Sequence, residues 1–242
     1  MKIPALSQIV GIAYNYLPSK QMRRRLTAGI DSHHSSQEKD FSYFYKGSEV
    51  SMSRHQEPLK IRKHPFTNDE MDHWPEAEVA ILMGENHEIA AYALANDFTA
   101  IGIEKQGRSE EFDGTYFGKF WNGSCSLGPR WVPAREIDDS DLEVTLKIER
   151  ATRIPYEASF NTSKRKTGFE ELPGKIAEYH DSFQGNLPPS KRIDIVNGKL
   201  PNGTIILTGT YLIVPERWYS QEGDLITISS EQLGTLQNEV AQ

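Results

Sequence analysis

Three acidic side chains stand beside apolar, strand-like segments of this sequence, where a charge is costly to bury. Glu76 and Glu78 open the run that ends at Gly84, and Asp97 follows the apolar stretch 89–95. Residues two apart on a strand point to the same face, so Glu76 and Glu78 are expected to lie side by side. Such a pair favours a bound cation, because each carboxylate raises the free energy of ionising the other.

Carboxylate oxygens without thiolate ligands suit a hard divalent ion, which is Mg²⁺, Mn²⁺ or Ca²⁺. The sequence therefore predicts a metal site with Glu76, Glu78 and Asp97 as its ligands. A second interpretation stays open at this point. An arbitrary Glu-x-Glu is more often the solvated start of a strand than half of a metal site.

Short apolar segments divided by turns predict a mainly β chain around these acids. The predicted strands are 8–14, 79–83, 89–94, 142–148, 204–207 and 225–228. One helix is predicted over 169–183, where Leu172, Ile176, Tyr179 and Phe183 recur at three- and four-residue spacing. We expect the helical content to be limited to this segment.

Composition agrees with one soluble domain, since 242 residues with 37% hydrophobic side chains can bury a sizeable core. The formal charge of −7 disfavours nucleic acid as a partner, because a phosphate backbone is held mainly by Lys and Arg. No apolar run approaches the roughly 20 residues that span a bilayer. Cys125 is the only cysteine, which excludes an internal disulfide. We therefore expect a cytoplasmic protein without a membrane partner.

A series of short motifs extends from about residue 41 to 240. They are EAEVAILMG (76–84), ANDFT (95–99), FGK (117–119), GSCSLGP (123–129), LTGT (207–210), EGD (222–224) and LGTLQN (233–238). In this order they resemble the fumarylacetoacetate hydrolase superfamily. The runs 44–47, 123–129 and 209–215 look most like its 2-keto-3-deoxy sugar acid dehydratase branch.

The resemblance implies an α+β, mainly β fold, a mixed rolled β-sandwich of the fumarylacetoacetate hydrolase C-terminal domain type, often assembled as a homodimer. We accordingly divide the chain into a short N-terminal segment, 1–50, and a catalytic domain, 51–242. The polar stretch at about 18–40 is a candidate lid, because long loops of compact enzymes often cover active sites.

The resemblance also implies roles for individual residues. Lys119 is expected to act in catalysis and to hold the carboxylate or the developing oxyanion of a 2-oxo acid substrate. Lys46, Gly209 and Thr210 complete the expected substrate-binding set, with Thr210 also in a catalytic role, and Glu104 is a candidate acid/base. The metal, with Glu76, Glu78 and Asp97 as its ligands, would polarise the keto group of the substrate and stabilise an enolate.

Two departures from the family pattern bear on the mechanism. Hydrolytic members carry a His-Glu dyad that activates water, and this chain has Ser19 and Met22 at the two positions. His33 or His34 could replace the dyad if their segment folds over the metal, although histidines in a Ser-rich loop are more often solvated.

The second departure follows Asp97, where Ile101 and Gly102 replace an Arg-Asp step of many members. Three functions therefore remain open. The leading one is dehydration of a 2-keto-3-deoxy sugar acid, and the second is hydrolysis of a C–C bond in an acylpyruvate-like substrate. The third is a relative that binds metal or ligand and has lost turnover.

Overall fold

The computed structural model describes residues 4–16, 41–107, 112–212, 214 and 218–242. Within these residues the chain forms an eight-stranded sheet and a five-stranded sheet. The larger sheet pairs, in order, β2 (Ser42–Gly47), β1 (Gln8–Ala13), β11 (Thr204–Leu207), β5 (Ala77–Met83), β6 (Ile89–Asp97), β7 (Cys125–Leu127) and β3 (Met52–Arg54), with β8 (Val132–Pro133) on β6. The smaller sheet pairs β10 (Arg153–Asn161), β9 (Glu143–Arg150), β12 (Leu225–Ser230), β13 (Gly234–Ala241) and β4 (Leu59–Lys60).

Strands β5 and β6 lie in the middle of the larger sheet and are buried on both faces. All of β5 is buried, and so are the last seven residues of β6. Val79 and Ile81 pack into the core that is shared with the smaller sheet, whereas Ala80 and Leu82 pack into a second apolar cluster. Because side chains alternate along a strand, Glu78 belongs to the same face as Ala80 and Leu82.

The smaller sheet covers one face of the larger one. On β9, Val144, Leu146 and Ile148 are buried in the shared core, while the residues between them are partly exposed. This alternation is typical of a sheet with one solvated face. Parallel pairs such as β1 with β11 occur beside antiparallel ones such as β5 with β6. The mixed, mainly β arrangement confirms the predicted fold class.

The described residues contain three α-helices: α1 (Ile101–Gln106), α2 (Gly114–Lys119) and α3 (Leu172–Asp181). The predicted helix over 169–183 is confirmed, since a 3₁₀ turn at Phe169–Glu171 leads into α3. The expectation that helix is limited to this segment is wrong, because α1 and α2 are also helical. Six residues are too few to show a helical period, and helices this short depend on tertiary contacts.

The first 50 residues contribute two strands to the main sheet, because β1 pairs with both β2 and β11. The division of the chain at residue 50 stays a prediction. The candidate lid at 18–40, with Ser19, Met22, His33 and His34, lies outside the described residues. No helix in the described parts of the chain is long and apolar enough to cross a membrane.

Candidate metal centre

The start of β5 and the end of β6 meet at one point of the larger sheet. The two strands are antiparallel, with Ala77 opposite Asn96. The Asp97 amide donates to the Glu76 carbonyl at 3.0 Å, and the Glu76 amide donates to the side-chain oxygen of Asn96 at 3.1 Å. These bonds fix the backbone on either side of the acids. As a result, one carboxylate oxygen from each of Glu76, Glu78 and Asp97 lies within 4.8 Å of the other two.

The three acids differ in their access to solvent. Glu78 and Asp97 are 2% and 0% exposed, whereas the Glu76 side chain keeps 22% of its surface. The Gly209 amide donates to Glu78 Oε2 at 2.6 Å, which orients that carboxylate. Gly209 has φ of +87°, and a Cβ there would lie 3.2 Å from the Ile12 carbonyl. Only glycine accepts this conformation without strain. The backbone geometry that lets the amide of residue 209 bond to Glu78 therefore favours glycine at this position.

Lys119, at the end of α2, joins the acids. Its ammonium donates to Glu76 Oε2 at 2.6 Å, to Asp97 Oδ2 at 2.9 Å and to Thr99 Oγ1 at 2.6 Å. An ammonium has three hydrogens, and these contacts use all of them. The ammonium also lies 5.1 Å from the ring centroid of Phe44. Lys119 is therefore held inside the cluster and not on the surface.

Lys46 approaches the same acid from β2. Its Nζ lies 2.5 Å from Asp97 Oδ1 and donates to the Phe98 carbonyl at 3.0 Å. The side chain has no exposed surface, in contrast to the 6% of the Lys119 side chain. Each oxygen of Asp97 thus faces a different lysine.

The electrostatics of the centre follow from these contacts. Burial raises the pKa of Glu76 to about 7, an effect that the Lys119 ammonium opposes and the Asp97 charge reinforces. Burial, followed by the charges of Asp97 and Glu76, raises the pKa of Glu78 well above its ordinary value. Burial acts in the same direction on Asp97, but Lys119 and Lys46 hold its pKa below the usual range. Two of the three carboxylates therefore resist ionisation unless further positive charge is supplied.

The remaining predicted residues lie around this cluster. Glu104, on α1, is partly buried and close enough to contribute to the raised pKa of both Glu76 and Lys119. Thr210 follows Gly209, and its hydroxyl accepts from the Leu212 amide at 3.1 Å. The structure thus brings Lys46, Lys119 and Gly209 onto the acids, and it gives the Thr210 hydroxyl a bond within its own loop.

Three nearby residues were not assigned a role from the sequence. The Thr99 hydroxyl accepts a hydrogen bond from Lys119. Thr99 lies two residues after Asp97, and this spacing indicates that both side chains point to the same face of an extended chain. Cys125 lies opposite Asp97 across β6 and β7, and burial raises the pKa of its thiol to about 12. The carbonyl groups at the end of α2 are bonded by Arg62, for which the local sequence carries no signal.

Residues 8–241 match the model of a family described as fumarylacetoacetate (FAA) hydrolase C-terminal. The match spans nearly the whole chain, including both sheets and the acid cluster. The chain belongs to this family. The match confirms the resemblance carried by the short motifs between about residues 41 and 240 and extends it toward the N-terminus.

Two curated proteins are similar to this chain. One is the 2-dehydro-3-deoxy-D-arabinonate dehydratase of Saccharolobus solfataricus, 26% identical over 80% of this chain and 56% of the relative. The other, from Haloferax volcanii, is named a probable 2-keto-3-deoxyxylonate dehydratase and is 28% identical over 69% of this chain and 50% of the relative. This chain spans about half the length of both relatives.

A solved structure extends the comparison to the fold. It is a 2-keto-3-deoxy-D-arabinonate dehydratase complexed with magnesium and 2,5-dioxopentanoate, and it superposes with a TM-score of 0.70. Its sequence is 25% identical, and the match covers 96% of this chain and 72% of that chain. The fumarylacetoacetate hydrolase fold of this chain therefore also occurs in a protein whose structure contains magnesium.

Proposed function

We propose that this protein is a divalent-metal-dependent enzyme that dehydrates a 2-keto-3-deoxy sugar acid. The observation that carries the proposal is the convergence of Glu76, Glu78 and Asp97, with Lys119 among them. The names of the two curated relatives and of the magnesium complex support the choice of substrate class.

The donor set fits a hard cation. It consists of carboxylate oxygens only. Two of the acids have raised pKa values, and a cation bound between them would lower these values. We assign Glu76, Glu78 and Asp97 as the ligands of Mg²⁺, with Mn²⁺ or Ca²⁺ as alternatives of the same chemistry. When bound, the ion would supply Lewis-acid polarisation to the keto group of a 2-oxo acid.

The side chains around the acids have separate tasks in this proposal. Lys119, with its 6% exposed side chain, attracts the substrate carboxylate or the developing oxyanion through its positive charge, since its three hydrogens are donated within the cluster. Buried Lys46 keeps Asp97 oriented and charged. Gly209 orients Glu78 through its amide, and Thr210 lies next to it at the edge of the site.

Dehydration requires one proton acceptor. We assign Glu104 to take the proton from C3, after which the C4–O bond breaks and the departing hydroxide receives that proton from Glu104 and leaves as water. Glu104 is near enough to Lys119 to act on its pKa, and a carboxylate placed beside the reacting carbon can serve as a general base. Hydrolysis of a C–C bond asks for an additional base that activates water, and we assign no described residue to that role.

A screen of 2-keto-3-deoxy sugar acids and acylpyruvates with Mg²⁺ or Mn²⁺ tests the proposal. Mass analysis should show loss of one water from a sugar acid, and the isosteric Glu78→Gln variant should lack the activity. Pyruvate and a second acid released from acylpyruvates, without any dehydration, would instead establish a hydrolase and direct attention to His33 and His34. Binding of metal without turnover of either class would indicate a non-catalytic relative.

A further inference from the structure

The end of α2 carries backbone carbonyls that the helix itself cannot bond. In a helix that ends at Lys119, the last four carbonyls have no partner within the helix unless a cap supplies one. The Tyr116 carbonyl accepts from the Phe120 amide, and the Gly118 carbonyl accepts from the Ala100 amide at 2.9 Å. The Phe117 carbonyl requires a partner from elsewhere.

Arg62 supplies that partner. Its Nη1 donates to the Phe117 carbonyl at 3.0 Å and to the Phe120 carbonyl at 2.7 Å, so one nitrogen bridges the residues on both sides of Lys119. The guanidinium also lies 5.6 Å from the ring centroid of Phe117. A cation at the C-terminal end of a helix further interacts with the helix dipole, which adds to the two hydrogen bonds.

The position of Arg62 is itself fixed by a buried histidine. The Arg62 amide donates to His73 Nε2 at 2.9 Å, and the opposite ring nitrogen of His73 donates to the Met71 carbonyl at 2.7 Å. The His73 ring stacks on Phe98 with centroids 5.3 Å apart. Phe98 follows Asp97 directly, so Arg62 is tied both to the helix that carries Lys119 and to the strand end that carries Asp97.

We propose that Arg62 is a positioning residue that holds the Lys119 ammonium in the acid cluster. The inference rests on the proposed function, because it concerns how Lys119 reaches the anionic end of a 2-oxo acid. A helix of six residues has little stability of its own, so the angle at which it presents its last side chain depends on such external bonds. Without Arg62, two carbonyls beside Lys119 lose their partner and the helix end is free to turn.

A double-mutant cycle tests the proposal. Arg62→Met removes the guanidinium, whereas Arg62→Lys keeps the positive charge but replaces the planar guanidinium by an ammonium. Each substitution is combined with Lys119→Met. Two quantities are measured in saturating Mg²⁺: kcat/KM on the acid found by the screen, and the Kd of pyruvate by calorimetry. Pyruvate is the smallest 2-oxo acid, so its binding reports on Lys119 even if no substrate is turned over.

We expect Arg62→Met to lower both kcat/KM and pyruvate affinity at least about tenfold in the wild-type background and by less than about twofold when Lys119 is already methionine. Arg62→Lys should recover part of the loss. Arg54→Met is the matched control, because Arg54 is an exposed arginine whose side chain pairs with Glu49. It should leave kcat/KM and pyruvate affinity unchanged.

Two results would overturn the inference. An equal loss from Arg62→Met in both backgrounds would show that Arg62 supports the fold in general and not Lys119. A Lys119→Met variant with wild-type kcat/KM and pyruvate affinity would remove the role of Lys119, and with it that of Arg62. Failure of the dehydratase proposal is seen separately, as the absence of turnover while the pyruvate-binding cycle remains measurable.

Discussion

Lys119 is the residue on which most of the local chemistry converges. Its ammonium neutralises part of the charge on Glu76 and Asp97, and these acids, with Glu104, raise its pKa although burial acts against its charge. The raised pKa keeps this lysine protonated near neutral pH. It can therefore serve as a fixed positive charge for a substrate anion but not as a base.

Replacing Lys119 separates these roles. Lys119→Met keeps most of the apolar stem and removes the charge. We expect kcat/KM to fall at least about tenfold, which corresponds to about 1.4 kcal/mol of transition-state binding. The melting temperature of the metal-free protein should fall as well, because two carboxylates lose an ion pair.

The control is Lys147→Met on β9, where Lys147 pairs with Glu149 in the smaller sheet and makes no contact with the acids. It should leave kcat/KM unchanged. Full activity in Lys119→Met would show that Lys119 contributes to stability only and not to catalysis.

At the scale of elements, the contact between α1 and α2 decides where Glu104 lies relative to Lys119. Gly118 sits where the two helices touch, and a Cβ on it would be 2.9 Å from Glu104 Cβ and 3.0 Å from the Glu104 amide nitrogen. The Ala100 amide bonds the Gly118 carbonyl at the same place. Glycine is needed here for close approach and not for an unusual φ.

Gly118→Ala should push the helices apart. Forcing a methyl group into a packed contact typically costs about 1–3 kcal/mol, so the melting temperature should fall. Activity should fall with it, because Glu104 and Lys119 move away from each other. Thermal melts and kcat/KM measure the two effects.

Gly174→Ala on α3 is the matched control, since nothing lies within 4 Å of the Cβ that it would add. It should be neutral or stabilising, by about 0.5–1 kcal/mol, because alanine favours helix over glycine. The same loss in both variants would show that Gly118 has no special place in the contact.

At the scale of the whole molecule, metal binding and stability are linked through the acids. In the metal-free protein the pKa of Glu76 is raised from 4.5 to about 7, so the native state binds more protons than the unfolded state within that window. The contribution of this group to metal-free stability is therefore present below about pH 4.5 and is lost as the pH rises through about 7. Metal competes with those protons for the same oxygens.

The stabilisation by Mg²⁺ should consequently grow as the pH rises from about 5.5 to about 8. Ligand at about a hundredfold excess over its Kd stabilises a native state by about 2.7 kcal/mol. The measurement is the melting temperature in Mg²⁺ minus that in chelator at each pH. The double variant Glu76→Gln/Glu78→Gln, which imitates the protonated acids, should show neither a metal response nor its pH dependence. An identical response in wild type and variant would contradict the ligand assignment.

Much of the fold could be predicted because the local periodicity of apolar residues indicates the main strands and one helix. The apolar runs of β5 and β6 are long enough to identify as strands, and the strand period of two is sufficient to place Glu76 and Glu78 on one face. The third acid follows from the end of the next apolar run. The short helices α1 and α2 could not be predicted in this way, because their six residues are held by distant groups such as Arg62 and the Ala100 amide.

The sequence by itself determined the mainly β fold and the family. It also determined which residues carry charge into a buried sheet. Only the tertiary structure decided which counter-charges meet them. Lys46 reaches Asp97 from 51 positions earlier in the chain and Lys119 from 22 positions later, and Gly209 bonds Glu78 across 131 positions. Such contacts depend on strand order and on how helices dock against the sheet. Local propensity contains no information about either, because both are set by burial of surfaces that are far apart in sequence.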